Sequence, residues 1–402
     1  MNTIVLKFGG SVLTDDNAIK NAAEIIKSEY DKEKNVIAVV SAQGGMTDVL
    51  LDEALKLSEK PSKRELDVIM SAGELLSSSK LAIAVQSLGI NSISLSGFQA
   101  GIRTNSACGN ARIKEIKRDR INKELAEKKA VIVAGFQGFD KVGDMTTLGR
   151  GGSDTTAVAL AAAFDAEKCV IYSKVDGIYT ADPEEEPDAV KIKIIDYNIM
   201  QELSYLGVKV LNPRAVELAR KYSVVLEVRS AFSQEKGTVV KEDITNVEKM
   251  LISGVTKKSS IARITVSGLK GTSSEVFSVF GLMSKNNINC DIILQTTEKD
   301  NTTDIAFTVA ESDADIASEI LINSGNFNKN DILCDKSVAK VSVVGAGMES
   351  HPGVAAAIYE ALSEKNIDVI MISSSEMRFS VVVKKEDADA AVTAIHRRFL
   401  LS

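Results

Sequence analysis

From Thr3 to Ser230 the chain alternates short, almost wholly apolar runs with longer amphipathic ones. TIVLKF, NVIAVVSA, NSISLS, AVIVAGF, KCVIYSKV and VVLEVRS have the length and β-branched content of strands. NAIKNAAEIIKSEY and INKELAEKK, between them, carry apolar residues at helical spacing. Strands apolar on both faces and separated by helices predict an α/β fold with a mainly parallel sheet covered on either side. Ligands in such sheets sit beyond the carboxyl ends of the strands, which is where GGS, SAQGG and GFQG fall.

After GTVVKEDITNVEKM, a polar stretch that reads as a linker, the pattern changes. IARITVSG, a helix through EVFSVFGLMSKNN, NCDIILQTT, TDIAFTVA and a helix ADIASEILINS give a β-α-β-β-α order. About 78 residues later it recurs as AKVSVVG, GVAAAIYEALSEKN, DVIMISSS, RFSVVVK and ADAAVTAIHRRF, a spacing that suits a tandem pair of small domains. The first copy can complete a four-stranded sheet with ILCD near 332–335, whereas the second stops one helix after its third strand and leaves an edge unpaired. LISGVTK, from Leu251 to Lys257, is expected to supply that missing strand, which inserts the first repeat into the second. The expected domains are therefore 1–240, 258–336, and 250–257 together with 337–402.

A length of 402 residues allows two or three domains. The composition, 45% hydrophobic and 26% charged, is that of a globular protein, and a net charge of -7 provides no basic field for nucleic acid or a membrane surface. The partner is expected to be small. Cys108, Cys169, Cys290 and Cys334 form neither a C-x-x-C pair nor a disulfide framework and read as packed, reduced thiols. His351 and His396 are too few and too far apart for a histidine metal site, so a metal here would be a hard ion such as magnesium arriving with a nucleotide. No signal peptide and no apolar run of membrane-spanning length are apparent, which gives a cytoplasmic expectation.

Four stretches carry candidate chemistry. In KFGGS, glycines at a strand-to-helix turn let backbone N–H groups approach an anion, the following helix adds its positive end, and Lys7 adds a point charge; Gly9, Gly10 and Ser11 complete the set. The order differs from a P-loop, where the lysine follows the glycines. In TTLGRGGSDTTAVALAAAF, Ser153 and Asp154 stand where a helix N-cap belongs. Arg150, between Gly149 and Gly151, has no packing duty there, and a bidentate grip on a carboxylate or phosphate would explain it. In SAGELLSSS, Glu74 on an apolar helix would suit an ammonium group, and Ser41 and Thr47 of SAQGGMTD add hydroxyls after the second strand. Lys209 precedes the N-P-R helix start of GVKVLNPRA, and VDGIYTADPEEEPDA reads as a solvated acidic loop.

These stretches, in this order, resemble the amino acid kinase family and within it the aspartate kinases. KFGGS, SAGE, SLSGFQAGI, AGFQG, TTLGRGGSDTTAVALA, VDGIYTADP and KVLNPRA are followed by two ACT-type repeats with VGAGMESHPGVAA, so the likeness covers almost the whole chain. It implies a three-layer αβα sandwich for 1–240 followed by two ferredoxin-like (βαββαβ) ACT domains. It also implies ATP-dependent phosphorylation of L-aspartate to 4-phospho-L-aspartate, the first step of lysine, threonine and methionine biosynthesis. Carried over by motif, Lys7, Asp154 and Lys209 are catalytic and Gly9, Gly10 and Ser11 hold the transferred phosphate. Ser41, Thr47, Glu74, Phe136, Arg150 and Ser153 form the substrate pocket, and Ser173, Lys174, Tyr179 and Asp182 the nucleotide loop. ATP and Mg²⁺ are the implied cofactors. A homodimer joined through the ACT domains would bind lysine or threonine near Ser273, Asp291 and Gly353. The chain departs from the family pattern at Lys174, usually aspartate, at Glu184, usually arginine, and at Asn212, usually histidine. A kinase of another amino-acid carboxylate, or an amino-acid sensor of low activity, is the alternative.

Overall fold

The first strand, β1 (Thr3–Phe8), is buried at five of its six residues because both of its faces are covered by helices. The structure, a computed structural model, describes residues 2–242, 252–297, 302–346, 348 and 353–400. After β1 come a single 3-10 turn (Gly10–Val12), α1 (Asp16–Tyr30), β2 (Asn35–Val40), α2 (Met46–Leu57), α3 (Lys63–Ser87) and β3 (Ser92–Leu95). There follow β4 (Ile102–Thr104), β5 (Ile113–Ile116), α4 (Asp119–Ala126), β6 (Ala130–Ala134), β7 (Gln137–Phe139), β8 (Met145–Thr147) and α5 (Gly152–Ala163). Next are β9 (Cys169–Ser173), β10 (Ile178–Tyr179), β11 (Lys191–Ile192), β12 (Ile194–Ile195), α6 (Tyr197–Leu206), α7 (Pro213–Lys221), β13 (Leu226–Ser230) and β14 (Thr238–Val240).

The main sheet has eight strands in the order β12-β14-β13-β9-β1-β2-β6-β3. All its pairings are parallel except β13 with β14, so the mainly parallel sheet expected from the apolar runs is present. Alternation along β1 sorts its side chains: Ile4, Leu6 and Phe8 join a core with α1, α3, Val36, Ala38 and Val40, while Lys7 lies on the other face. Phe8 stacks on Tyr172, ring centroids 5.1 Å apart.

Three local expectations are corrected. The stretch read as a linker begins with a strand, β14, which pairs with β13; a Cβ at Gly237 would lie 1.8 Å from the Val228 carbonyl oxygen, so glycine lets the chain come close enough to pair. Residues 243–250 of that stretch lie outside the described residues. A second sheet, β5-β4-β7-β8, was not legible because strands of three or four residues carry too little alternation. Helix α3 is long and apolar enough, by length and composition, to cross a membrane, against the expectation of no such run. It is buried along one side only, through Asp67, Ser71, Glu74, Ser77 and Ser78, while Val68, Leu76 and Ile83 are exposed on the other.

Residues 1–178, 191–204 and 209–245 form one compact unit; 179–190, 205–208 and 246–402 form a second. The described part of the second unit contains β15 (Gly254–Lys258), β16 (Ile261–Leu269), α8 (Ser273–Lys285), β17 (Ile293–Thr297), β18 (Thr303–Ala310), α9 (Ala314–Asn323) and β19 (Ile332–Asp335). It continues with β20 (Val338–Val344), α10 (Val354–Ser363), β21 (Met371–Ser374), β22 (Arg378–Lys384) and α11 (Ala388–Leu400). These make two antiparallel four-stranded sheets, β17-β18-β16-β19 and β15-β20-β22-β21. Strand β15 pairs with β20 from Gly254 opposite Val344 to Lys258 opposite Lys340, so the sheet of the second repeat begins before the first repeat in the chain. Leu251, with which that segment opens in the sequence, lies outside the described residues. Each sheet has its own apolar core, and Ile261, Ile292, Val338, Met371 and Val382 join the two repeats in a third cluster.

Candidate active site

The carboxyl end of β1 meets the start of α5 through one ion pair. Lys7 Nζ lies 2.7 Å from Asp154 Oδ1, with side chains only 11% and 10% exposed. A Cβ at Gly9 would stand 3.3 Å from the same Nζ, so the lysine head rests directly beside the glycine turn. Gly10 needs its missing Cβ more strongly, since that atom would lie 2.5 Å from the Ala42 carbonyl oxygen. Gly44 N–H donates to the Gly10 carbonyl at 3.1 Å, which ties the loop after β2 to the loop after β1.

Two details differ from the sequence reading of this turn. Gly9 N–H donates to the Tyr172 carbonyl at 3.3 Å and is not available to an anion. The element after the glycines is a 3-10 turn, and α1 starts further on with its first N–H groups capped by Asp15 Oδ1, which accepts from Asn17 and Ala18 at 2.9 and 3.0 Å. The local positive potential therefore rests on Lys7, not on a helix end.

Ser153 and Asp154 do not cap α5. The N-cap is Gly151, whose φ of +73° suits a residue without Cβ, and both side chains are buried within the first turn. Asp154 Oδ2 accepts the Asn212 backbone N–H at 3.2 Å, and Asn212 Nδ2 donates to the Arg150 carbonyl at 2.9 Å. Asn212 also caps α7, accepting from Arg214 N–H at 3.0 Å. Arg214 donates to the Leu148 and Ala111 carbonyls at 2.9 and 2.7 Å. The backbone of the Gly149–Gly151 turn is thus pinned on several sides. The Arg150 side chain is exposed and has no carboxylate partner among the described residues.

Glu74 is 3% exposed. Its Oε1 accepts the Ala42 N–H at 3.0 Å, while Oε2, equally buried, has no hydrogen-bond partner. Burial pushes its pKa up to about 7, against the partial relief of that N–H. Gly73 permits this, since a Cβ there would lie 2.7 Å from Ala42 Cβ and force the helix away from the loop. Ser41, whose N–H donates to the Phe8 carbonyl at 3.0 Å, and Thr47, in the first turn of α2, are half-buried. Phe136 adopts a left-handed φ of +67°, held by a hydrogen bond from its N–H to Thr156 Oγ1 at 3.2 Å. Ser153 packs against Gly135, where a Cβ would approach it to 2.8 Å.

Lys7, Gly9, Gly10, Ser41, Glu74, Phe136, Ser153 and Asp154 thus lie on elements that meet at the carboxyl ends of β1, β2 and β6. Ser11 is exposed in the 3-10 turn, and Lys209 is exposed in the turn before α7, with no partner among the described residues. Ser173 Oγ is engaged by the Val175 backbone, and Lys174 is exposed. Tyr179 and Asp182 belong to the second unit, where Asp182 Oδ1 accepts the Glu184 N–H at 3.0 Å in a local turn. In the same unit Asp291 pairs with Lys340, a lysine 3% exposed whose pKa burial lowers in spite of that partner. Ser273 opens α8, which already carries its own caps: Thr272 Oγ1 accepts from Glu275 N–H, and Glu275 Oε2 from Lys270 N–H at 2.8 Å. Gly353, at the start of α10 with φ of +107°, brings no side-chain cap.

Sequence reasoning passed over Arg214, Asp67 and the second role of Asn212. Arg214 was part of the quoted N-P-R start, but its function is to bind carbonyls more than sixty residues away, and no spacing signals that.

A buried lysine–aspartate pair thus stands beside a glycine turn at the strand ends of a largely parallel α/β sheet, a setting that suits an anionic ligand. The amino acid kinase family model matches residues 2–230, more than half of the chain, and the chain belongs to that family; an ACT domain model matches residues 341–399. The chain is 44% identical over 403 residues to the aspartokinase of Bacillus sp. (strain MGA3), covering 100% of this chain and 98% of that one. It is 45% identical over 410 residues to the aspartokinase of Corynebacterium glutamicum, covering 100% and 97%. In fold it matches E. coli aspartokinase III in complex with aspartate and ADP, at a TM-score of 0.83 and 24% identity over 100% of both chains.

Proposed function

We infer that this chain is an aspartate kinase: it transfers the γ-phosphoryl group of ATP to the side-chain carboxylate of L-aspartate. The observation that carries the reading is Lys7 Nζ, held 2.7 Å from Asp154 beside Gly9 at the end of the first strand. In-line attack of a carboxylate on a phosphoryl group brings two anions together, so positioning and charge neutralisation are what the protein must provide. Lys7 supplies a fixed cation at the reacting phosphoryl, Asp154 fixes the lysine, and the turn of Gly9, Gly10 and Ser11 is assigned to the transferred phosphate. Lys209, exposed and without a partner among the described residues, is the second cation. Arg150 takes the α-carboxylate of aspartate and Glu74, through its unpartnered Oε2, the ammonium; Ser41, Thr47, Phe136 and Ser153 wall the pocket.

Ser173, Lys174, Tyr179 and Asp182 are assigned to the nucleotide. Mg²⁺ suits this donor set as an ion carried on the phosphate oxygens, where it would offset their charge; among the described residues no three acidic, histidine or cysteine side chains gather to hold one. We assign 1–240 to the catalytic domain, 258–336 to the first ACT domain, and 250–257 with 337–402 to the second. The reading includes a cytoplasmic homodimer and an effector, lysine or threonine, held near Ser273, Asp291 and Gly353. Its carboxylate fits the start of α10, where Gly353 brings no side-chain cap, better than the self-capped start of α8. Its ammonium would share Asp291 with Lys340.

A hydroxylamine trap with Mg-ATP and L-aspartate tests the reading. Aspartyl hydroxamate is expected, with suppression by lysine, threonine or both. A folded protein that forms none with aspartate has another acceptor or serves as a sensor.

A further inference from the structure

The Arg150 side chain has no side-chain partner among the described residues, so the backbone of its turn must set where the guanidinium points. Among the side chains of α3, Asp67 bonds the strand before that turn and the loop beside it. Asp67, with none of its surface exposed, accepts the Thr147 N–H at 2.9 Å on Oδ2 and the Thr147 hydroxyl at 2.7 Å on Oδ1. Gly109 N–H is shared between its two oxygens, at 3.0 Å from each. No cation pairs with Asp67 among the described residues; backbone and hydroxyl dipoles satisfy it entirely.

Both partners bear on the Arg150 turn. Thr147 ends β8 three residues before Arg150, and its carbonyl accepts the Ala111 N–H at 2.9 Å. The Gly109 carbonyl lies 3.1 Å from where a Cβ on Gly149 would stand, so the Gly109 loop is the wall against which the turn packs. Asp67 therefore fixes the strand that delivers the turn and the loop that supports it. It also stands seven residues, about two helical turns, before Glu74, so the two carboxylates share one side of α3.

We propose that Asp67 is a positioning residue for amino-acid recognition: by holding Thr147 and Gly109 on the helix that carries Glu74, it sets the separation between the groups that receive the substrate's ammonium and its α-carboxylate. This rests on the assignment of Arg150 and Glu74 to aspartate. A misplacement of about 1 Å in a positioned group costs on the order of 100-fold in rate, so one buried anchor is enough to set specificity.

The test compares wild type, Asp67→Asn and Thr147→Val with two acceptors, L-aspartate and its α-amide, which lacks the carboxylate for Arg150. Asp67→Asn places an amide N–H₂ against N–H donors, and Thr147→Val removes the hydroxyl bond alone. Wild type should prefer aspartate over the amide by about 100-fold, the scale of a lost charge-assisted contact. Asp67→Asn should raise KM for aspartate about tenfold, leave KM for ATP within about twofold, and reduce that preference about tenfold; Thr147→Val should do the same by about threefold. A fall in thermal stability with an unchanged preference ratio overturns the positioning role. If Asp67→Asn does not fold, the ratio in Thr147→Val decides. Wild type that makes no hydroxamate from aspartate overturns the parent assignment, a result distinct from normal wild-type turnover with unshifted variants.

Discussion

Lys7→Ala is expected to lower kcat at least about 100-fold, the loss typical of removing one preorganised donor from a developing charge, with a smaller change in KM for aspartate. The geometry separates this from a general loss of stability. Lys7 and Asp154 are both nearly buried, so removing the lysine leaves Asp154 Oδ1 buried without its counter-charge. Breaking one side of such a pair costs about 3 kcal/mol or more, whereas removing both partners costs far less. Lys7→Met with Asp154→Ala should therefore recover most of the stability lost in Lys7→Ala while staying at least as inactive. Hydroxamate turnover and thermal midpoints of Lys7→Ala, Lys7→Met, Asp154→Ala and the double variant make the comparison. A double variant that regains turnover together with stability, or a stable Lys7→Ala with near-normal kcat, removes Lys7 from the reaction. Lys7→Arg offers no rescue, since the planar guanidinium is larger than the ammonium that now rests beside Gly9 and cannot act as a compact charge there.

Much of the large-scale organisation was legible because it depends on patterns that a sequence displays. Apolar runs such as NVIAVVSA and AVIVAGF announce β2 and β6 of a covered parallel sheet, and the repeated order of strands and helices announces the two small sheets. The unpaired edge of the second repeat was an argument about hydrogen bonds, and β15 lies on that edge. Short strands such as β4 and β7 escaped notice because three residues show no period. Strand β14 escaped because its pairing depends on how closely Gly237 lets the chain approach Val228, a tertiary fact.

The candidate site divides along the same line. Lys7, Glu74, Arg150 and Asp154 stand out because a charge in a glycine turn or on an apolar helix is chemically conspicuous. What holds them was silent in the sequence. Asn212 read only as the start of an N-P-R helix and a departure from the family pattern, yet it supplies an N–H to Asp154 and an amide to the Arg150 carbonyl. Asp67 drew no notice in the sequence, yet it is wholly buried and bonds residues 42 and 80 positions away. Supporting residues of this kind work through distance and angle, and neither is written in composition or spacing.

Glu74→Gln is expected to lower kcat/KM for aspartate about 100-fold at pH 8 and to abolish a pH dependence that wild type shows near neutrality. Burial raises the Glu74 pKa from 4.5 to about 7, and its Oε2 has no partner in the described structure. An unpaired buried carboxylate favours its neutral form, and an arriving ammonium reverses that preference, since the pair is charge-assisted and desolvated. Aspartate binding should therefore release a proton between about pH 5 and 7, and wild-type kcat/KM should rise with pH and level off above about 7. Stability runs the other way. Because the folded-state pKa lies above the unfolded one, this group costs no stability below about pH 4.5, and the loss grows as pH rises and is complete above about 7. The size of that loss is on the order of 3 kcal/mol. Glu74→Gln keeps a buried polar group but cannot ionise, so relative to wild type it should gain stability between pH 5 and 8 while losing activity most where wild type is most active. Thermal midpoints and aspartate titrations of both proteins across that range are the measurements. A variant whose activity falls equally at every pH, or a wild type whose kcat/KM is flat through neutrality, would show that the substrate ammonium is met elsewhere.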